Sequence, residues 1–142
     1  MQNTTLAIKE IQNLIVANYE RMVAFEQAAF NAGSDSIQQY FEEKAAESEN
    51  NISELKDILA GVSAEPFNVE AAATLNMLGA NHLFTGQKNI NTLLKHIQFL
   101  EKAVIGWYKA CMKNLKGLSL TITQLLSRHY SGLQASHVYV QN

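Results

Sequence analysis

Apolar residues recur every three or four positions along most of the chain, which is the period of an amphipathic α-helix. Four long segments carry such a stripe, at about residues 5–30, 35–60, 90–115 and 118–140. Glycines and the single proline fall mostly between these segments, where helices end. No segment alternates with the period of two that is typical of a strand. The pattern therefore predicts an all-α protein with four long helices.

The lengths of the connections predict how these helices are arranged. The first and second helices, and likewise the third and fourth, are joined by a few residues, which forces each pair into an antiparallel hairpin. Residues 61–88 form a longer connection with a short helical segment at about residues 69–84. A connection of that length lets the second and third helices run parallel. We therefore predict one domain over residues 1–142, a ferritin-like four-helix bundle whose two hairpins are joined by a long crossover.

Each of the four stripes contains a polar residue near its midpoint. These residues are Asn18, Ser48, Glu101 and His129. At a rise of about 1.5 Å per residue, counting from the turns places all four within roughly one helical turn of the same level. Asn51, three residues after Ser48, faces inward as well. We expect a central polar layer made of these five residues.

Two glutamates near this layer receive opposite predictions. Glu101 falls within the apolar stripe of its helix, so its carboxylate needs a cation, a hydrogen-bond donor or a proton. His129 and Asn18 are the nearest expected partners. Glu20 falls on the side of the first helix opposite its apolar stripe and is expected to be solvated.

A second polar group is expected one or two turns closer to the first hairpin turn. Glu26, Tyr40, Gln98 and His137 should approach one another there, at the rim of the core. An ion pair between Glu26 and His137 would be partly exposed, so it would stabilise the fold by about 0–1 kcal/mol.

The central layer has two interpretations. A di-iron bundle takes a glutamate from each of two helices and Glu-x-x-His from each of the other two, whereas this chain has Asn18 on its first helix and Ser48 and Asn51 on its second. The deficit of carboxylates favours a hydrogen-bond network that fixes helix register and needs no cofactor. The alternative is an incomplete or mononuclear iron or manganese site. Its candidate ligands are Glu101, His129, His137 and Glu26.

Composition excludes several classes of function. The net charge is −2 and no run of lysine or arginine occurs, which argues against a nucleic-acid partner. No stretch approaches the ~20 apolar residues that cross a membrane, and the N-terminal residues lack the pattern of a signal peptide. The single cysteine, Cys111, lies on a helix face beside Tyr108 and Leu115 and is expected to be a buried structural thiol. We expect a soluble cytoplasmic protein.

Several segments resemble a bacterial family of ferritin-like four-helix bundles that carries only a domain-of-unknown-function label. The resembling segments are Leu14–Asn18, Phe25–Ala29, Ile52–Leu55, Leu93–Tyr108 and Ala135–His137. In that family a Gly-Glu pair precedes a tyrosine by seven residues and a histidine lies near the end of the last helix. Here Leu100 replaces the glycine, and Glu101 and Tyr108 keep their spacing. The family also has a tryptophan in the crossover, which this chain lacks; its single tryptophan, Trp107, lies on the third helix.

The resemblance implies an association with stress responses and an incomplete di-iron ligand set. Together with the ligand deficit, it favours a non-catalytic protein that acts through self-association, as a homodimer, or through protein partners. Candidate contact surfaces are the apolar residues on helix flanks and in the crossover, namely Val16, Val23, Trp107 and the segment Phe67–Phe84. Each of them could equally belong to the core, and burial is the expected outcome for any single one.

Overall fold

The computed structural model describes residues 2–73, 90–115, 117 and 119–141. Every regular element in these ranges is an α-helix, which confirms the all-α prediction. The five helices are α1 (Gln2–Phe30), α2 (Asp35–Val62), α3 (Val69–Ala73), α4 (Ile90–Asn114) and α5 (Leu120–Gln141). The predicted crossover helix at residues 69–84 is described only as far as Ala73, and its remainder lies outside the described residues.

Short polar side chains mark where the helices begin. Ser34 precedes α2, and its hydroxyl oxygen accepts a hydrogen bond of 3.4 Å from the backbone N–H of Ile37. Asn68 does the same for α3, accepting from the N–H of Ala71 at 3.0 Å. Such side chains occupy first-turn amides that have no partner within the helix. Gly117 lies between α4 and α5 with φ of +94°, a conformation that favours glycine.

The four long helices surround one core. α1 packs against α2, α3 and α4, and α5 packs against α4 and α2. Among the described residues, α1 does not contact α5 and α2 does not contact α4, so each of these pairs occupies opposite corners.

Contacts between the helices also give their directions. Asn18 meets Asn51 while Phe25 meets Phe41, so α1 and α2 are antiparallel. Asn18 also meets Tyr108, whereas Arg21 meets Glu101, so α4 is antiparallel to α1 as well. α2 and α4 therefore run in the same direction.

The core consists mostly of residues from the predicted apolar stripes, although Leu14 and Leu100 are buried outside those stripes and Ile37, a stripe residue, is 46% exposed. The largest fully buried apolar side chains are Ile11, Leu14, Ile15, Phe25, Leu55, Ile97, Leu100, Leu126 and Leu133. Full burial of one such side chain stabilises a fold by roughly 1.5–3 kcal/mol. Tyr108 and Cys111 are also fully buried, as the sequence predicts. The buried thiol has no disulfide partner because it is the single cysteine of the chain.

The exposed apolar residues differ from those expected. Val16 is 1% exposed and belongs to the core, which is the expected outcome for a single candidate, so it is not available as a contact surface. Val23, Phe67 and Trp107 are half-buried. The large apolar side chains that do face solvent are Leu6, Phe30, Ile37, Phe99 and Leu120. No helix in the described part of the chain is both long and apolar enough to cross a membrane.

Candidate functional site

Arg21 lies at the centre of the helical core. Its side chain is fully buried, and its guanidinium donates four hydrogen bonds to groups on α2 and α4. Nε donates to Glu101 Oε2 at 2.8 Å, and Nη2 donates to Glu47 Oε1 at 2.8 Å. Nη1 donates to Ser48 Oγ at 2.7 Å and to the carbonyl oxygen of Lys44 at 3.2 Å. We call Arg21, Glu47, Ser48 and Glu101 the arginine cluster.

Glu101 is the buried carboxylate of this cluster. Burial raises its pKa, and the charge and hydrogen bond of Arg21 act in the opposite direction. Its Oε2 accepts from the guanidinium, while Oε1 lies 3.9 Å from His137 Nδ1. Neither Oε1 nor His137 Nδ1 has a hydrogen-bond partner among the described residues. A separation of 3.9 Å is too long for a direct hydrogen bond and leaves room for a bridging atom.

Glu47 connects the arginine cluster to solvent. Its side chain is 31% exposed, so water reaches the carboxylate that Arg21 holds from the other side. Ser136 on α5 donates to Glu47 Oε1 at 3.2 Å, and Lys44 Nζ donates to Ser136 Oγ at 3.0 Å. The Lys44 ammonium also lies 5.3 Å from the centre of the Tyr40 ring, within the range of a cation–π contact. The arginine cluster is therefore buried at Arg21 and Glu101 and partly exposed to solvent at Glu47.

A second network lies one turn away and contains Asn51, Asn18, Tyr108, His129 and Glu54, which we call the tyrosine–histidine relay. Asn51 Nδ2 donates to Asn18 Oδ1 at 3.2 Å, and Asn18 Nδ2 donates to the Tyr108 hydroxyl oxygen at 2.9 Å. The hydroxyl lies 2.7 Å from His129 Nδ1, and His129 Nε2 lies 2.8 Å from Glu54 Oε1. The relay thus connects α1, α2, α4 and α5.

Electrostatics fix the direction of the hydrogen bonds in the relay. The hydrogen bond from Arg128 holds the pKa of Glu54 below its usual value, and the hydrogen bond from His129 adds to this effect. Burial lowers the pKa of His129, so its ring is neutral near pH 7. A neutral ring that donates from Nε2 to the Glu54 carboxylate must accept at Nδ1. The Tyr108 hydroxyl therefore donates its hydrogen bond to Nδ1. Burial also raises the pKa of Tyr108, which keeps its hydroxyl protonated.

The structure places the predicted central layer in the core but divides it between two networks. Asn18, Ser48, Asn51, Glu101 and His129 are all buried. Ser48 and Glu101 belong to the arginine cluster, whereas Asn18, Asn51 and His129 belong to the relay. Polar residues that lie one helical turn apart on the same helix, such as Ser48 and Asn51, therefore bind different partners.

Two of the expectations for this layer are wrong. The hydrogen-bond partner of Glu101 is Arg21, not His129 or Asn18, because a long arginine side chain reaches across the core from α1. Glu20 is fully buried instead of solvated. α1 packs against three other helices, so the side of α1 that the apolar stripe does not occupy is covered as well.

Of the group expected at the rim, Glu26 is exposed and forms no ion pair with any described residue. His137 Nδ1 lies 3.9 Å from Glu101 Oε1 instead. Sequence reasoning also missed Arg21, Glu47 and Glu54 as members of the polar core. The available signal was the position of Arg21 within the apolar stripe, three residues after Asn18 and four before Phe25.

The candidate metal ligands do not converge on one point. Glu101 and His137 lie close together, whereas His129 is bonded to Glu54 and Tyr108 and Glu26 faces solvent. In the described part of the chain, no three side chains of histidine, cysteine, aspartate or glutamate are grouped as a metal ion requires. The residues therefore do not fit the ligand set of a di-iron centre.

Comparison of the chain with family models, with curated proteins and with solved structures finds no match.

Proposed function

We propose that this protein is a non-catalytic, ferritin-like bundle in which the Arg21 guanidinium takes the place of a metal ion. The observation that carries the proposal is the position of that guanidinium, fully buried and bonded to the carboxylates of Glu47 and Glu101 on two different helices. Ferritin-like metal sites likewise gather carboxylates from facing helices around a cation. Here the cation is supplied by the chain itself.

The charge of Arg21 also disfavours a metal ion beside it. An arginine remains protonated at all relevant pH values, so its positive charge is permanent. Two unit charges 4 Å apart repel by about 4 kcal/mol at an effective dielectric constant of 20, and a divalent ion experiences about twice that. A metal ion bound to Glu101 would have to overcome this repulsion or displace the guanidinium. The arginine cluster thus acts as a structural element that joins α1, α2 and α4.

Burial of both networks supports a non-catalytic role. Arg21 and Tyr108 are fully buried, and Glu101 and His129 are 1% and 3% exposed. Catalytic side chains must touch a substrate, and these four side chains are almost wholly buried, whereas solvent reaches the two networks at Glu47 and Glu54, whose side chains are each 31% exposed. We therefore assign the networks to helix register and assign the function of the protein to its surface, through self-association or a protein partner. The resemblance to stress-associated bundles adds a stress-related role in the cytoplasm to this proposal.

The helix directions support the ferritin-like part of the proposal. α2 ends at Val62, α4 begins at Ile90, and the two helices run in the same direction at opposite corners of the bundle. A single long crossover in that position is the feature that distinguishes ferritin-like bundles from bundles with short loops.

A metal-binding protein is the alternative. The pair formed by Glu101 Oε1 and His137 Nδ1 favours it, since the two atoms lie 3.9 Å apart and neither has a hydrogen-bond partner in the described part of the chain. One bridging water or one iron or manganese ion could satisfy both atoms. Two ligands give weak affinity, and His137 with Glu101 would then be the pair that holds the ion.

Elemental analysis separates the two functions. Untagged protein is loaded with iron(II) or manganese(II), desalted and compared with the Glu101→Gln and His137→Gln variants treated in the same way. The proposal predicts no retained metal in any of the three proteins. Near-stoichiometric metal in the wild type that is lost in both variants would overturn it and establish the metal-binding alternative.

A further inference from the structure

An acidic groove runs along the outer side of α1 and α2. It has a volume of about 370 Å³, and alanines and the 89% exposed ring of Phe30 supply its apolar lining. Glu26, Glu42 and Glu49 stand along it, and none of the three forms an ion pair with a described residue. Asp35, also exposed, continues the same line of carboxylates because it precedes Glu42 by seven residues, as Glu42 precedes Glu49.

The outer side of α4 has the opposite charge. Lys95, Lys102 and Lys109 are exposed at the same seven-residue spacing and form no ion pair with a described residue. Every exposed charge on α4 is a lysine, since Lys113 is the fourth and the glutamate Glu101 is buried. We call this surface the lysine face.

The lysine face also carries apolar contacts. Phe99 is 62% exposed and stands between Lys95 and Lys102, one turn from each. Ala103, Gly106 and Ala110 leave a shallow depression beside Trp107. Small residues let a second helix approach closely, and an exposed aromatic ring supplies apolar area to bury.

We propose that the acidic groove of one molecule binds the lysine face of a second copy of this chain. Three carboxylates, Asp35, Glu42 and Glu49, meet three lysines with the same spacing, and the Phe99 ring enters the groove between α1 and α2. Matched heptad charges of opposite sign are how helices in coiled coils select their partners. This inference rests on the self-association part of the proposed function and identifies the two surfaces that perform it.

The positions of the acidic groove and the lysine face determine which kind of oligomer can form. α2 and α4 occupy opposite corners and do not contact each other among the described residues, so one molecule cannot pair both of its surfaces with the same neighbour. The contact is head-to-tail, and each added copy leaves one acidic groove and one lysine face available. Assembly therefore continues past the dimer into rings or chains. Because the charges lie at the surface, the association weakens as salt is added.

Charge reversal on the full chain tests the proposal by sedimentation velocity over a range of protein concentrations and salt. Lys102→Glu with Lys109→Glu reverses the lysine face, and Glu42→Lys with Glu49→Lys reverses the groove. Glu65→Lys with Glu70→Lys is the matched control, because both glutamates are exposed and lie outside the groove. Circular dichroism checks that each variant remains helical.

The expected result is that the wild type and the control associate at low salt, that each reversed variant sediments as a monomer, and that an equimolar mixture of the two reversed variants associates again. The mixture recovers because the intact groove of the first variant faces the intact lysine face of the second. Phe99→Ser, which keeps every charge, should also weaken the wild-type association.

Association of the wild type that persists in both reversed variants would overturn the assignment of these surfaces and leave the proposed self-association standing. A wild type that is monomeric under all conditions would overturn both this inference and self-association as the mode of action.

Discussion

Replacing Arg21 with methionine removes the guanidinium but keeps an unbranched side chain of similar length. Glu101, which is 1% exposed, then loses the charged donor on its Oε2 and remains buried, whereas the partly exposed Glu47 can be hydrated. Breaking a buried ion pair from one side costs about 3–5 kcal/mol, because the remaining charge is left uncompensated. Small domains have unfolding free energies of about 5–15 kcal/mol, so the loss is a large fraction of the total.

Chemical denaturation followed by circular dichroism measures this cost. Arg128→Met is the matched control, because Arg128 also pairs with a glutamate but has a side chain that is 59% exposed, and its loss should cost about 0–1 kcal/mol. Adding Glu101→Leu to Arg21→Met should restore much of the stability, since it removes the stranded carboxylate. An Arg21→Met variant no less stable than Arg128→Met would refute the assignment of Arg21 as the cation of the core.

The Arg21→Met variant should also lose stability with rising pH over a wider range than the wild type, in which the pKa of Glu101 is already raised. Burial already raises the pKa of Glu101, and loss of the guanidinium removes the main opposing effect. The folded variant then holds a proton that the unfolded chain, with a pKa near 4.5, releases. Its unfolding free energy should therefore fall as pH rises from 4.5 toward the folded pKa, at up to about 1.4 kcal/mol per pH unit. Urea denaturation at several pH values detects this slope.

Three further outcomes follow from the relay and the buried thiol. Since burial lowers the pKa of His129 below 6.5, the unfolding free energy of the wild type should fall as pH drops below 6.5, by up to about 1.4 kcal/mol per pH unit. Urea denaturation at several pH values should show a smaller pH dependence for His129→Gln, and an equal dependence in the two proteins would contradict a neutral buried ring. Tyr108→Phe should lower the unfolding free energy by about 1–3 kcal/mol because it leaves His129 Nδ1 without a donor. Tyr130→Phe, at a half-buried position, should change the unfolding free energy by about 0.5 kcal/mol or less, and equal costs for the two variants would argue against the relay. Burial raises the pKa of Cys111 to about 12, so the native thiol should resist a colorimetric thiol reagent at pH 8 and react on unfolding, and immediate reaction of native protein would show that the thiol is accessible.

The helices and the level of the polar layer could be predicted from the sequence because both depend on local spacing. The 3.6-residue period located α1, α2, α4 and α5 to within a few residues, and counting from the turns placed Asn18 and Glu101 near one level. Both predictions use distances along the chain, which the sequence contains directly.

The partners of the polar residues depend on information that the sequence does not contain. Charged side chains are rarely buried unless they are paired, so composition and periodicity alone did not identify Arg21 as a residue of the core. Its burial requires Glu47 on α2 and Glu101 on α4 to meet at one point, and that depends on how three helices are rotated and shifted against one another. The burial of Glu20 could not be predicted for the same reason, because it depends on how many helices pack around α1.

A crystal structure of the wild-type protein grown with manganese(II) tests the central claim most directly. The account predicts the Arg21 guanidinium within hydrogen-bond distance of Glu101 and Glu47, as in the 2.8 Å contacts described above, and no anomalous scattering peak between the helices. An anomalous peak held by Glu101 and His137, with the guanidinium displaced from Glu101, would contradict the account and identify the protein as a metal-binding bundle.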